Sequence, residues 1–189
     1  MITSDLLATL TAHGALLTGH FRLSSGRHSD RFVQKFRLLE DPEVVEPLAR
    51  ELASRTARFA PTIVVSAAVG GIVLGYETAR WLGTKAIFTE KEDGVSKLRR
   101  NFALDPQDRA LVVEDVITTG KSVREVIDVV RSHGAEPVVV GALVRRAPVE
   151  FGIPAEVLLE LPIESYDPGE CPLCTQGLPL VDPGSRFLS

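Results

Sequence analysis

An α/β fold, with a central, mostly parallel sheet and helices on both faces, is what this 189-residue sequence predicts. Three observations predict it. The runs Thr62 to Ser66, Ala110 to Val113 and Pro137 to Val144 are almost unbroken apolar stretches, as strands covered on both faces must be. Segments of helical period alternate with them, which requires right-handed crossovers between parallel strands. Polar or glycine-rich turns follow three of the strands, and in a parallel sheet those turns meet at one edge.

The bulk properties bound the answer. A chain of 189 residues with 44% hydrophobic and 24% charged content can bury a substantial core as one domain, residues 1–189. The net charge of −4, with no basic block, argues against a nucleic-acid partner. Met1-Ile2-Thr3-Ser4-Asp5 lacks the basic-then-apolar order of a secretion signal. The most apolar window, Ile63 to Tyr76, is shorter than the roughly 20 residues of a membrane span and is broken at Gly70-Gly71. No membrane association is expected, and cytoplasmic residence is the default.

Taken in order, Ser4 to His13 reads as a short amphipathic helix with Leu6, Leu7 and Leu10 on one side and Gly14 as its stop. Gly19 to Lys35 alternates enough for two short strands joined at Ser24 to Gly26. Asp41-Pro42-Glu43 starts a helix running to about Arg58, with Val44, Val45, Leu48 and Leu52 inward. After the strand at Thr62 to Ser66, Ala67-Ala68-Val69-Gly70-Gly71 turns into a helix ending at Leu82. Its two glycines either admit an anion to the backbone or simply allow close packing. Lys85 to Thr89 is a strand, and Glu90 to Asn101 is polar and charged, which as a bare pattern is a solvated hairpin. Lys121 to His133 is a helix with Val123, Val126, Ile127 and Val130 inward and Gly134 as its stop. The strand Pro137 to Val144 ends in Arg145-Arg146, on the edge where a parallel sheet binds ligands; pairing with a surface acid is the plainer alternative. A last strand spans Val157 to Leu161.

The centre of the chain is Leu111-Val112-Val113-Glu114-Asp115-Val116-Ile117-Thr118-Thr119-Gly120-Lys121-Ser122. A buried strand ends in two acids, and a small-residue turn leads into a helix. Unpaired amides at a helix N-terminus seat a phosphate, and two carboxylates suit ribose hydroxyls, so the stretch fits a sugar phosphate. Plain helix capping by Glu114 and Asp115 is the alternative. A nucleotide P-loop is excluded, because it needs glycine five positions before Gly120 and Asp115 stands there.

This twelve-residue pattern resembles the phosphoribosyl-pyrophosphate (PRPP) signature of the type I phosphoribosyltransferases. Gly19-His20-Phe21 and Leu23-Ser24-Ser25-Gly26-Arg27-His28-Ser29-Asp30 resemble the amino-terminal hood of the orotate phosphoribosyltransferases. The resemblance runs from about Gly19 to Arg146. It implies the type I phosphoribosyltransferase fold, with a core at about 40–161 and a hood formed by about 15–36 and the carboxyl-terminal tail. It implies transfer of the 5-phosphoribosyl group from PRPP to orotate, giving orotidine 5′-monophosphate and pyrophosphate in pyrimidine synthesis. The implied catalytic residues are Glu114, Asp115 and Lys91, the last in a mobile loop at Glu90 to Asn101. PRPP falls to Glu114 through Ser122 (Glu114, Asp115, Val116, Ile117, Thr118, Thr119, Gly120, Lys121, Ser122) and to Ala68, Val69, Gly70 and Gly71. Orotate falls to Thr118, Arg146, Ser25 and Gly26. Mg²⁺ is implied as the cofactor, bound mainly through PRPP, and a homodimer as the assembly. Members of the family carry lysines where Ser24 and Gly70 stand here, and Lys35 is a candidate to replace them. A purine or uracil salvage transferase and a PRPP-sensing regulator on the same fold are the alternatives.

Cys171 and Cys174 form Cys-Pro-Leu-Cys, half of a zinc ribbon with no second cysteine pair in the chain. His13, His20, His28 and His133 all lie far away in sequence. Two subunits could complete a four-cysteine site across a dimer axis, but a pair of reduced structural thiols is favoured, and no protein-held metal is expected.

Overall fold

The computed structural model describes residues 3–23 and 25–183, so the expectation about Ser24 lies outside the described residues. The chain opens with α1 (Thr3–Ala12) and an antiparallel hairpin, β1 (Leu16–Arg22) and β2 (His28–Val33), which is a two-stranded sheet of its own. A short helix that the sequence did not announce, α2 (Phe36–Leu39), buries Leu38 and Leu39 and leads into α3 (Pro42–Thr56). Asp41 caps α3 as expected, its side chain accepting from the Glu43 amide at 3.0 Å with Pro42 in the first turn.

The main sheet follows: β3 (Ile63–Ala67), α4 (Gly70–Leu82), β4 (Lys85–Glu92), β5 (Val95–Leu98), β6 (Arg109–Ile117), α5 (Lys121–Ser132), β7 (Glu136–Arg145) and β8 (Ala155–Glu160). Its order is β5-β4-β3-β6-β7-β8, parallel throughout except for β5. The pleat divides the apolar runs between two cores. Val64, Leu111, Val113, Val139 and Leu143 pack with residues of α1, α3 and α4. Ile63, Val65, Ala110, Val112, Val140 and Ala142 pack with Val123, Val126, Ile127 and Val130 of α5. Both faces are therefore dry, which is why these strands read as continuous rather than alternating apolar runs. Each fully buried Val or Leu contributes roughly 1.5–3 kcal/mol.

Three boundaries differ from expectation. β4 continues to Glu92 and turns at Asp93-Gly94, both at positive φ (52° and 80°), to pair with β5. The stretch at Glu90 to Asn101 thus forms the solvated edge hairpin that its bare pattern predicts, where the resemblance implied a mobile loop. Its charges pair across it, Glu90 with Arg100 and Glu92 with Lys97, which an exposed edge tolerates. β6 runs to Ile117, beyond its two acids, because β7 stays alongside as a partner that far. β8 starts at Ala155 and ends at Glu160, slightly earlier than its most apolar residues implied. The tail after β8 carries a 3-10 turn at Pro168–Glu170 and the short helix α6 (Pro172–Thr175), and returns to the hairpin through bridges His28–Tyr166 and Phe21–Val181.

Candidate active site

The site grows from a step in the sheet edge. Pairing of β3 with β6 stops at Ser66–Val113, whereas β6 continues beside β7 to Ile117–Arg145. Glu114 to Ile117 therefore overhang the end of β3, and the turn at residues 68–71 folds over that overhang. Glu114 and Asp115 are 8% and 1% exposed. A Cβ placed on Gly70 would lie 1.6 Å from Asp115 Oδ2, and one on Gly71 would lie 3.0 Å from the Val113 carbonyl. Only glycine lets the start of α4 approach the acids this closely. The Ala68–Val69 peptide in the same turn is cis.

Two adjacent buried carboxylates cannot both carry a full charge cheaply. Glu114 is pushed up to about 8, first by burial and then by the neighbouring Asp115 carboxylate, with Lys35 acting in the opposite direction. Asp115 Oδ1 accepts from the Val116 amide at 2.6 Å. Asp115 Oδ2 lies 2.6 Å from Lys35 Nζ, an ion pair whose angles do not make a regular hydrogen bond, and the oxygen has no other partner among the described residues. At neutral pH the centre holds a protonated Glu114 beside the Lys35–Asp115 ion pair. The Lys35 ammonium is also 2.7 Å from where a Cβ of residue 70 would stand. A cation that the sequence lacks at position 70 arrives there from the end of β2.

Beyond Ile117 the chain forms a cradle. Thr118 and Thr119 are exposed, and Gly120 turns the chain at φ 73° into α5. No side chain caps α5 among the described residues, and the Lys121 amide makes only a long contact, 3.4 Å, to Thr119 Oγ1. The first-turn amides are left for an anion. Gly120 is needed twice, since a Cβ there would also meet Val149 at 2.6 Å and Phe151 at 2.8 Å.

The end of β7 separates its two arginines. Arg145 forks onto Glu160 of β8, with Nη2 to Oε1 at 2.8 Å. Arg146 bonds through its backbone amide to the Ile117 carbonyl at 2.8 Å, which fixes it beside the overhang. Its Nε is buried without a hydrogen-bond partner among the described residues, and burial holds the guanidinium below the usual arginine value. A buried unpaired donor on a cation is a costly arrangement that an anionic ligand would relieve.

Comparison with known proteins gives this geometry a family. The phosphoribosyl transferase domain matches residues 38–148. Orotate phosphoribosyltransferase of Desulforamulus reducens is 49% identical over 191 residues, covering 100% of both chains. That of Pelotomaculum thermopropionicum is 48% identical over 188 residues, covering 98% of this chain and 99% of the relative. The chain belongs to the orotate phosphoribosyltransferase family. The crystal structure of orotate phosphoribosyltransferase from Aeropyrum pernix shares its fold at TM-score 0.71 and 28% identity, covering 82% of this chain and 93% of that one. Relatives of this kind favour neither the salvage transferase nor the regulator.

Most residues that the orotate phosphoribosyltransferase pattern singles out do meet at the step. Glu114, Asp115, Gly70 and Gly71 are in contact or nearly so, with Ala68 and Val69 exposed beside them. Thr118, Thr119, Gly120, Lys121 and Ser122 line the cradle, while Val116 is half-buried in β6. The Ile117 side chain is 1% exposed and belongs to the core under α5, so it offers a ligand only backbone. Lys91 is not brought to the acids: it sits on β4, 54% exposed, with Nζ 3.3 Å from Glu125 of α5. Ser25 and Gly26 are exposed at the hairpin tip. The chain from Ile163 to Tyr166 links that hairpin to Arg146, through Ile163 N to Arg146 O at 3.4 Å and Ser29 Oγ to Glu164 O at 2.7 Å.

The isolation of the cysteine pair is a feature of the sequence alone. His20, His28, Cys171 and Cys174 come together, their ligand atoms all within 4.8 Å of one another. Sequence reading missed this because the tail's return to the hairpin has no local signature; two histidines flanking one tight turn were the available clue.

Proposed function

We propose that the step at the carboxyl edge of the sheet is where PRPP and orotate meet, and where the 5-phosphoribosyl group passes to orotate with release of pyrophosphate. The observation that carries this reading is the buried Glu114–Asp115 pair, overhung by the Gly70-Gly71 turn and followed by the open first turn of α5. The cradle at Thr118 to Ser122 would hold the 5′-phosphate and so orient the ribose. Asp115 and Glu114 would take the ribose hydroxyls, Asp115, which already faces the Lys35 cation, as acceptor and the protonated Glu114 as donor. The bond from ribose C1 to pyrophosphate weakens ahead of attack, so positive charge grows on the sugar beside Asp115. Negative charge grows on the leaving pyrophosphate beside the residue 68–71 backbone and Lys35. The orotate carboxylate is the anion that the unpaired Arg146 guanidinium fits.

A metal on PRPP is general in the family. Two carboxylates, one of them protonated, are too small a donor set to hold a divalent ion alone, which suits Mg²⁺ arriving on PRPP rather than a resident protein site. Bound there, Mg²⁺ would neutralise the departing pyrophosphate. Lys91 would act only once the β4–β5 hairpin leaves Glu125, or from a partner subunit. A homodimer is part of the proposal. Val69, Val73 and Tyr76 stand at helical spacing along the start of α4, exposed by 69%, 42% and 68%, an apolar stripe that a second copy would cover. Both substrates are anions that do not cross a bilayer unaided, which fits cytoplasmic residence; among the described residues no helix is long and apolar enough to cross a membrane.

The test is pyrophosphate release from Mg²⁺-PRPP with orotate, uracil, adenine, hypoxanthine or xanthine. Turnover with orotate alone is expected. Turnover with a purine and not orotate would move the reading to salvage, and none with any base would favour a regulator.

A further inference from the structure

We propose that His20, His28, Cys171 and Cys174 hold a structural Zn²⁺ that staples the carboxyl-terminal tail onto the β1–β2 hairpin. The argument begins with where the four residues stand. His20 is on β1 and His28 on β2, either side of one tight turn. Cys171 and Cys174 open and close the first turn of α6, a spacing that puts both sulfurs on one side of it. Nothing in either segment calls for the other, yet the fold delivers all four ligand atoms to one point.

The separations are those of an occupied site. A tetrahedral ion with Zn–S near 2.3 Å and Zn–N near 2.05 Å requires N···S edges of about 3.6 Å and an N···N edge of about 3.3 Å. Cys171 Sγ lies 3.6 Å and Cys174 Sγ 3.7 Å from His20 Nε2. Cys174 Sγ is 3.3 Å from His28 Nδ1, and the two imidazole nitrogens are 3.0 Å apart. Each is within a few tenths of an ångström of the polyhedron edge. The outer contact fits as well. His20 Nδ1 meets the Leu178 carbonyl at 2.8 Å, which places the ring proton on Nδ1 and leaves the Nε2 lone pair facing the cluster, as ligating histidines are usually held.

Hydrogen bonding alone does not account for the cluster. His20, His28 and Cys171 are 3%, 5% and 2% exposed. One N–H can bridge the two rings, but the thiols are weak donors, and four polar groups converge on a space that a single ion would satisfy completely. Two thiolates and two imidazoles select zinc over magnesium or calcium, which take oxygen. Four protein ligands leave no open position, so the ion would be structural rather than catalytic.

The location explains the need. A two-stranded hairpin is marginal by itself. Here it borrows the tail through single bridges at His28–Tyr166 and Phe21–Val181, and through Arg22 bonded to Asp182. The same tail, at Ile163, touches Arg146. A metal clamp would hold hairpin, tail and base-binding arginine in one unit.

The test uses the full chain made without a polyhistidine tag in zinc-supplemented medium. Metal analysis should find about one zinc per chain. Cys171→Ser and His28→Asn should each lower that content at least about tenfold, as loss of one of four ligands does. Because these variants could misfold, the wild-type protein carries a second measurement. A mercurial that titrates the two thiols should release zinc in step, and Co²⁺ refolded in place of zinc should show the intense visible bands of a tetrahedral thiolate site. Chelated wild type should become sensitive to proteolysis between residues 161 and 183. A wild-type protein that is metal-free and takes up neither Zn²⁺ nor Co²⁺ overturns the proposal, as does a Cys171–Cys174 disulfide in the native protein. Neither outcome bears on the base-panel assay, so this site and the PRPP site stand or fall separately.

Discussion

At the scale of single residues, the roles proposed for Glu114 and Arg146 rest on what burial does to them. Glu114 keeps its proton to about pH 8 in the folded protein, against an ordinary value of 4.5. Between those limits the folded chain binds more protons than the unfolded one, so stability falls as pH rises through that window and levels off above it. The expected loss is on the order of a few kcal/mol from pH 5 to pH 8, and Glu114→Gln should flatten it. Urea midpoints of both proteins at pH 5, 6.5 and 8 provide the measurement; equal slopes would mean that Glu114 ionises normally. Arg146 makes the opposite kind of prediction. Its buried, unpaired Nε is poised for an anion, and losing a charge-assisted pair costs about 1.5–3 kcal/mol, or roughly 10- to 100-fold. Arg146→Ala should raise the orotate KM by that factor and the PRPP KM far less. An equal rise in both would put Arg146 on the phosphates instead.

At the scale of elements, the β4–β5 hairpin and α5 are joined through one residue. Glu125 accepts from Ser96 Oγ at 2.9 Å, lies 3.3 Å from Lys91 Nζ and is 3.9 Å from Lys121 Nζ. Lys91 and Lys121 both belong to the expected PRPP apparatus, so Glu125 faces two of the cations proposed for phosphate. These are half-exposed contacts worth about 0.2–1 kcal/mol each. Glu125→Ala should therefore speed hydrogen exchange of the 90–98 amides several-fold while leaving β6 and α5 protected. Unchanged protection would show that backbone pairing along β4 and β5 holds the hairpin without α5. The same residues show what made the hairpin legible: alternating charges along an edge strand carry no apolar signal, so the Asp93-Gly94 turn is what marks it.

For the whole molecule, the stripe of Val69, Val73 and Tyr76 begins beside the residue 68–71 turn, so a second copy docked there would abut the site. Sedimentation should show a homodimer for the wild type, and Tyr76→Asp should shift it towards monomer at micromolar concentration. A wild-type protein that stays monomeric at high concentration would remove the second copy, and with it any action of Lys91 across an interface.

How much of this was legible in the sequence depends on the range over which each feature is encoded. The parallel sheet, its two covered faces, the capped start of α3 and the strand–acid–cradle stretch at Leu111 to Ser122 were readable, because period, capping and turn chemistry act over a few neighbouring residues. The resemblance carried by the hood and Arg146 supplied the base. Three things were decided only by tertiary structure. The uneven ends of β3 and β6 create the step that buries both acids. Lys35 reaches Asp115 from the N-cap of α2, outside the main sheet. The tail returns across the hairpin and gives Cys171 and Cys174 the two histidines they lacked. Each depends on where the chain comes back after a long excursion, and the free energy that fixes those returns is spread over the whole packed core rather than written in any local pattern.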